Sequence, residues 1–129
     1  MVKNYNNGVV DTPKQAVAEI SLTFDVTRFN EKKVLDAIQK QINGHTEIVC
    51  SVDGPKKSSF TRRLITVTSE WSNDSSSMSF SKWSSATHTI AKAIFKSIKA
   101  MKDAKLIECK VSITDRKDGS KTTIPIVQA

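Results

Sequence analysis

Residues 16–26 read Ala-Val-Ala-Glu-Ile-Ser-Leu-Thr-Phe-Asp-Val. Apolar and polar side chains alternate without a break. Ala18, Ile20, Leu22, Phe24 and Val26 share one side, and Glu19, Ser21, Thr23 and Asp25 share the other. Successive side chains of an extended chain point to opposite faces, so this stretch is a strand with one face in a core and the other polar. A half-buried strand of this length implies a sheet, and the elements after it decide which kind of sheet.

Asn30 precedes a run in which Val34, Leu35, Ile38 and Ile42 fall on one helical face. Its side chain can accept a free backbone N–H of the first turn, with Phe29 stapling onto Val34. Asn43-Gly44 reads as a left-handed stop. The first helix is therefore expected over about 31–43. Thr46 to Val52 is a second strand, Asp53-Gly54-Pro55 a turn, and Phe60 to Trp71 a third strand. A serine-rich loop comes next. A second helix is expected over about 82–104. Trp83, Ile90, Ile94, Ile98 and Met101 lie on one side of it, and His88, Lys92, Lys96, Lys99 and Lys102 on the other. Phe95 falls inside the lysine stripe. Leu106 to Thr114 alternates, Asp118-Gly119 turns, and Lys121 to Val127 returns, with Pro125 marking an edge.

The expected fold class is α+β, in the order β-α-β-β-α-β-β. Residues 1–15 form a mobile N-terminal arm and residues 16–129 a single domain. Two architectures satisfy the order. Setting aside the first helix leaves a five-stranded OB-like barrel; setting aside the last strand leaves a split β-α-β sandwich. The barrel is favoured.

With 129 residues the chain can bury one real core. No apolar run is long enough to cross a bilayer, and residues 1–15 lack the apolar core of a signal peptide, so a cytoplasmic location and no membrane partner are expected. Cys50 and Cys109 alternate with aliphatic residues and read as reduced, buried core residues. His45 and His88 have no metal-ligating neighbours at useful spacing and read as surface residues. There is no glycine-rich phosphate loop and no nucleophile motif. No cofactor, no metal and no enzyme are expected.

What remains is charge. The chain is formally +7, and Lys82, Lys92, Lys96, Lys99, Lys102 and Lys105 stand against Asp103 alone within residues 81–105. Lys56, Lys57, Arg62 and Arg63 form a second basic cluster, and Trp71, Phe80 and Trp83 border the serine-rich loop. A lysine stripe opposite an apolar face is ordinarily just a solvated surface. Basic side chains beside aromatic faces are also what non-specific single-strand binding uses. Lysines outnumber arginines 16 to 4, which favours point charges for phosphate over base reading. The expected binding residues are Lys56, Lys57, Arg62, Arg63, Trp71, Lys92, Phe95, Lys96, Lys99 and Lys102.

From about Ser79 to Val127 the chain resembles the single-stranded DNA-binding proteins of small, protein-primed bacteriophages of Gram-positive hosts. The matching residues are Ser81-Lys82-Trp83-Ser84, Thr89-Ile90-Ala91-Lys92-Ala93, Lys105-Leu106, Lys110-Val111 and Lys117-Asp118-Gly119. The resemblance implies a phage-encoded protein that coats displaced single strands during DNA replication, with Trp83 where that family has an aromatic. The expected partner is single-stranded nucleic acid. The alternative is a small interaction or inhibitor protein whose basic face binds an acidic protein partner.

Overall fold

The structure is a computed structural model that describes residues 15–73 and 78–126. Its elements are β1 (Ala16–Phe29), α1 (Glu31–Asn43), β2 (Ser51–Ser59), β3 (Arg62–Trp71), α2 (Phe80–Lys99), β4 (Ala104–Asp115) and β5 (Lys121–Pro125). The arm expected over residues 1–15 lies, apart from Gln15, outside the described residues.

The five strands form one antiparallel sheet in the order β2-β3-β1-β4-β5. The alternating stretch at residues 16–26 becomes its centre. On the inner face Ile20 pairs with Val67 and Val111, and Leu22 with Ile65 and Cys109. α1 contributes Val34, Ile38 and Ile42 to the same core, and α2 contributes Trp83, Ile90, Ile94 and Ile98. Both helices therefore cover one face of the sheet. Each joins two parallel strands that leave room for a third between them, which is the split β-α-β arrangement. The β5 strand is added outside β4.

The OB-like barrel is corrected. β2 and β5 are the two edges of an open sheet and do not pair with each other. Closure needs strands that pair around a ring, and periodicity within a strand carries no information about its partner across the ring.

Local expectations fared unevenly. Asn30 caps α1, its side chain accepting from the Lys33 amide at 3.2 Å. Gly44 ends α1 with φ −79°, in ordinary right-handed geometry rather than the left-handed stop. The Asp53-Gly54-Pro55 segment is part of β2, where the register shifts between Asp53 and Lys56, instead of being the turn before a strand. α2 starts earlier than expected because Ser79 caps it, accepting from the Lys82 amide at 3.1 Å. It stops at Lys99, short of residue 104. The Asp103 carbonyl accepts from the Asn30 amide at 2.9 Å, and its carboxylate accepts from Asn30 Nδ2 and meets Lys33 Nζ, both at 3.1 Å. That tie holds the α2–β4 turn against the start of α1, and Lys33 and Asn30 keep the Asp103 carboxyl below its ordinary value.

One irregularity shapes the site. Thr23 pairs with Glu108 and Phe24 with Leu106, so Ile107 is an extra residue, a bulge in β4. It throws Ile107 outward, 43% exposed, and turns Leu106 toward the core instead.

Candidate functional site: the groove between α2 and β5

Five strands spaced about 4.8 Å apart make a layer about 24 Å wide. Two helices of about 10 Å each cover about 20 Å of it. The fifth strand therefore outruns the helical layer. α2 packs chiefly on β4. The inward side of β5 is left bare, and Ile124 is 44% exposed on an inward-facing position.

A groove results between the flank of α2 and the β4–β5 hairpin. Its wall is one stripe of α2: Phe80, Ser84, His88, Phe95 and Lys99 stand one or two helical turns apart along a single flank. Its floor is β4 and β5. The wider end has a volume of about 320 Å³. Phe95, Leu106, Ile107 and Ile126 wall it, Cys109 lies at its base, and the exposed Lys99 supplies a positive charge at its rim. Glu108 pairs with Thr23 and projects to the opposite face of the sheet, where it lies 3.5 Å from Lys110 Nζ. The narrower end, about 170 Å³, is bounded by Phe80, Ser84, His88 and Ile124 among others.

Burial pushes the Cys109 thiol up to about 12, with the Glu108 charge adding to the effect, so at neutral pH the thiol keeps its proton and is a poor nucleophile. Cys50, expected buried, is half-buried; burial raises its thiol as well. Both cysteines are free. Among the described residues no cluster of three or more His, Cys, Asp and Glu could hold a metal.

The opposite face of the sheet is polar and carries Glu19, Ser21 and Thr23 from β1 beside Thr66 and Thr68 from β3. Ser112 and Thr123 share a 3.0 Å hydrogen bond there.

The residues expected to bind single strands do not converge. Lys56, Lys57, Arg62 and Arg63 sit on the β2–β3 hairpin, at the edge away from β5. Much of that charge is engaged. Lys56 lies 2.7 Å from Asp53, and Arg62 lies 3.6 Å from Asp25. Arg63 donates to its neighbour's carbonyl, Arg62 O, at 2.9 Å. Lys57 stands over the exposed Phe60 ring. Lys92, Lys96, Lys99 and Lys102 are exposed along α2 and its end, with no ion pair among the described residues. The aromatics are not a stacking platform. Trp83 is buried, its Nε1 donating to Ser69 Oγ at 3.0 Å. Half-buried Trp71 donates to the Met78 carbonyl at 2.8 Å and packs edge-on against Phe80. Phe95, the misfit in the lysine stripe, turns out to be half-buried and to line the groove.

Two solved phage SAM lyases share this fold. One, in complex with S-methyl-5'-thioadenosine, is 15% identical, with 94% of this chain and 97% of that chain covered and a TM-score of 0.50. The other, in the apo state, is 12% identical, with 90% and 93% covered and a TM-score of 0.52. No family model and no curated protein matches the chain. These likenesses overturn the resemblance to phage single-stranded DNA-binding proteins. The expected DNA-replication function, the single-stranded nucleic-acid partner and the expectation of no enzyme fall with it. The matching SKWS and TIAKA stretches are short helix-forming strings, and such strings recur wherever an amphipathic helix carries lysines.

The groove is not legible in the sequence. His88 reads there as a surface residue, and no pattern marks Ile107 as functional. The one signal in reach is Phe95, an aromatic on the wrong side of its helix.

Proposed function

We propose that the chain is a cytoplasmic, phage-derived lyase of S-adenosylmethionine that holds its substrate in the wide end of the groove. One observation carries this reading: the likeness to two SAM lyases spans nine-tenths or more of both chains in each comparison. Among the described residues no helix is long and apolar enough to cross a membrane, which accords with a cytoplasmic site of action.

The chemistry accounts for the missing motifs. A lyase that releases methylthioadenosine breaks the bond between the sulfonium and the aminobutyryl carbon. Both electrons pass to sulfur, which becomes a neutral thioether. The pair that restores the carbon's valence comes from within the substrate, from its own carboxylate oxygen, which closes a lactone as the C–S bond breaks. No protein nucleophile or hydrolytic water is consumed. The protein has to bind the substrate folded, orient it and remove water. Dispersing a positive charge is favoured by apolar walls, which Phe95, Leu106, Ile107 and Ile126 provide. In this reading the Phe95 ring lies against the sulfonium. Lys99 meets the α-carboxylate.

The test is incubation with S-adenosylmethionine and chromatographic detection of methylthioadenosine. The parent should form it faster than uncatalysed decay. Lys99→Gln and Phe95→Ala should each slow it about tenfold or more, the equivalent of one well-placed interaction. No product from the parent sinks the reaction. Product formed equally by parent and both variants sinks the groove as its site.

A further inference from the structure

The β2–β3 hairpin ends in an exposed aromatic. Phe60 and Thr61 form its two-residue turn, and Phe60 is 82% exposed. Two-residue turns favour glycine, asparagine and aspartate, so the turn itself does not call for a phenylalanine. Nor does the core, which Phe60 does not reach. Val26, whose amide donates to the Thr61 carbonyl at 3.0 Å, adds a second exposed apolar side chain beside the tip.

Cations surround this apex. Residues 54–64 carry Lys56, Lys57, Arg62 and Arg63 and no acid. The register puts them on both sides of the ribbon. Arg63 pairs with Phe24 and with Lys57, which places Arg63 and Lys57 on the helix side. Arg62 pairs with Asp25, and Lys56 with Leu64 beside Thr23, which places Arg62 and Lys56 on the polar side. Asp25 and Asp53 hold Arg62 and Lys56, leaving Lys57 and Arg63 without an acidic partner among the described residues. The Lys56 pair is exposed on both members, and pairs of that kind are weak. Lys57 Nζ stands 5.3 Å from the centre of the Phe60 ring, so charge and ring are carried together.

An apolar tip ringed by positive charge suits a flat anionic layer with an apolar phase beneath it. A protein groove or a nucleic-acid strand would engage one side of a ribbon, whereas here both sides are cationic and the aromatic sits beyond them at the apex. We propose that the β2–β3 hairpin docks end-on onto an anionic phospholipid bilayer, such as a cytoplasmic leaflet presents. Phe60 enters the boundary between headgroups and acyl chains, while Lys56, Lys57, Arg62 and Arg63 stay level with the lipid phosphates. The groove lies by β5, at the opposite edge of the sheet, and is left open. Docking does not depend on the reaction assigned to that groove.

The test is co-sedimentation of the whole protein with vesicles of phosphatidylcholine, alone or mixed with phosphatidylserine. Binding should require phosphatidylserine and weaken as salt is raised. Replacing Lys57 and Arg63 together by Gln should lower the partition coefficient about 25-fold, about fivefold for each cation. Phe60→Ser should lower it about fivefold or more. Replacing Lys92 and Lys96 together by Gln removes as much charge from α2 and should lower it less than about twofold, because charge held away from the bilayer is screened. Phe60→Trp gives a reading that needs no loss of binding: brominated lipid should quench its emission beyond the quenching of Trp71 and Trp83 in the parent. Equal binding to the two kinds of vesicle overturns the proposal, as does an equal loss in the two double variants or no added quenching in Phe60→Trp. So does tighter hairpin-dependent binding to polyglutamate or to an oligonucleotide than to the vesicles.

Discussion

Replacing Gly54 and Gly119 by alanine, one at a time, tests the β2 edge of the sheet against a built-in control. Both glycines have positive φ, +110° and +75°. An alanine at either position incurs the backbone cost of that region, about 1–2 kcal/mol. Only Gly54 adds a second cost. A Cβ there would stand 2.6 Å from the Leu64 carbonyl oxygen, 3.2 Å from Ile65 Cα and 3.3 Å from the Lys56 nitrogen, all backbone atoms. Real Cβ contacts essentially never fall below 3.0 Å, so β2 must withdraw from β3 by at least 0.4 Å at this point. The adjoining pairs, Asp53 with Thr66 and Lys56 with Leu64, would loosen. Losing one ladder hydrogen bond there adds about 0.5–1.5 kcal/mol. A Cβ at Gly119 meets nothing within 4 Å. The expected costs are therefore about 1.5–3.5 kcal/mol for Gly54→Ala and about 1–2 kcal/mol for Gly119→Ala. Against a usual stability of about 5–15 kcal/mol, the difference is measurable. Urea unfolding followed by tryptophan fluorescence, with linear extrapolation, reads both. If the two variants agree within about 0.5 kcal/mol, Gly54 is not pinned between β2 and β3 and the register described for that edge is wrong.

Trp83→Phe should cost about 2–4 kcal/mol, since it removes the donor to Ser69 Oγ and leaves a buried hydroxyl and unfilled space; Ser69→Ala in the same background should add less than it does alone, and strict additivity in urea unfolding would deny the coupling. Cys109 titrates near 12 when folded against 9.0 ordinarily. The folded chain thus keeps a proton that the unfolded chain releases in that window. Stability should be insensitive to this thiol below pH 9 and decline by up to about 1.4 kcal/mol per pH unit from 9 toward 12, a decline that Cys109→Ala should lack. At neutral pH a thiol reagent should label half-buried Cys50 well before Cys109; fast labelling of Cys109 in the native protein would contradict its burial.

Much of the fold was legible in short-range pattern. The alternation at residues 16–26 marked the strand that became the sheet's centre, and its inward set, Ala18 to Phe24, is buried as the pattern requires. Asn30 marked the start of α1. The apolar stripe of α2 identified Ile90, Ile94 and Ile98 as core. Pro125 marked an edge strand, since it has no N–H to give to a neighbour. Each of these rests on one element's own geometry, a period of two or of 3.6, or on a single residue's chemistry.

Tertiary structure decided the rest. Whether five strands close into a barrel or lie open depends on which strands pair, and a strand's alternation is the same in both. The end of α2 was settled by Asp103, whose contacts with Asn30 and Lys33 reach across the fold to residues far away in sequence. The β4 bulge at Ile107 appears only when Thr23 and Phe24 are matched to their partners. The groove has the same origin. It exists because two helices are narrower than five strands, and no side chain records that difference. Lysines on α2 were visible as charge, yet the flank of α2 that lines the groove, with Phe95 and His88 on it, acquired meaning only once β5 was seen to extend beyond the helices.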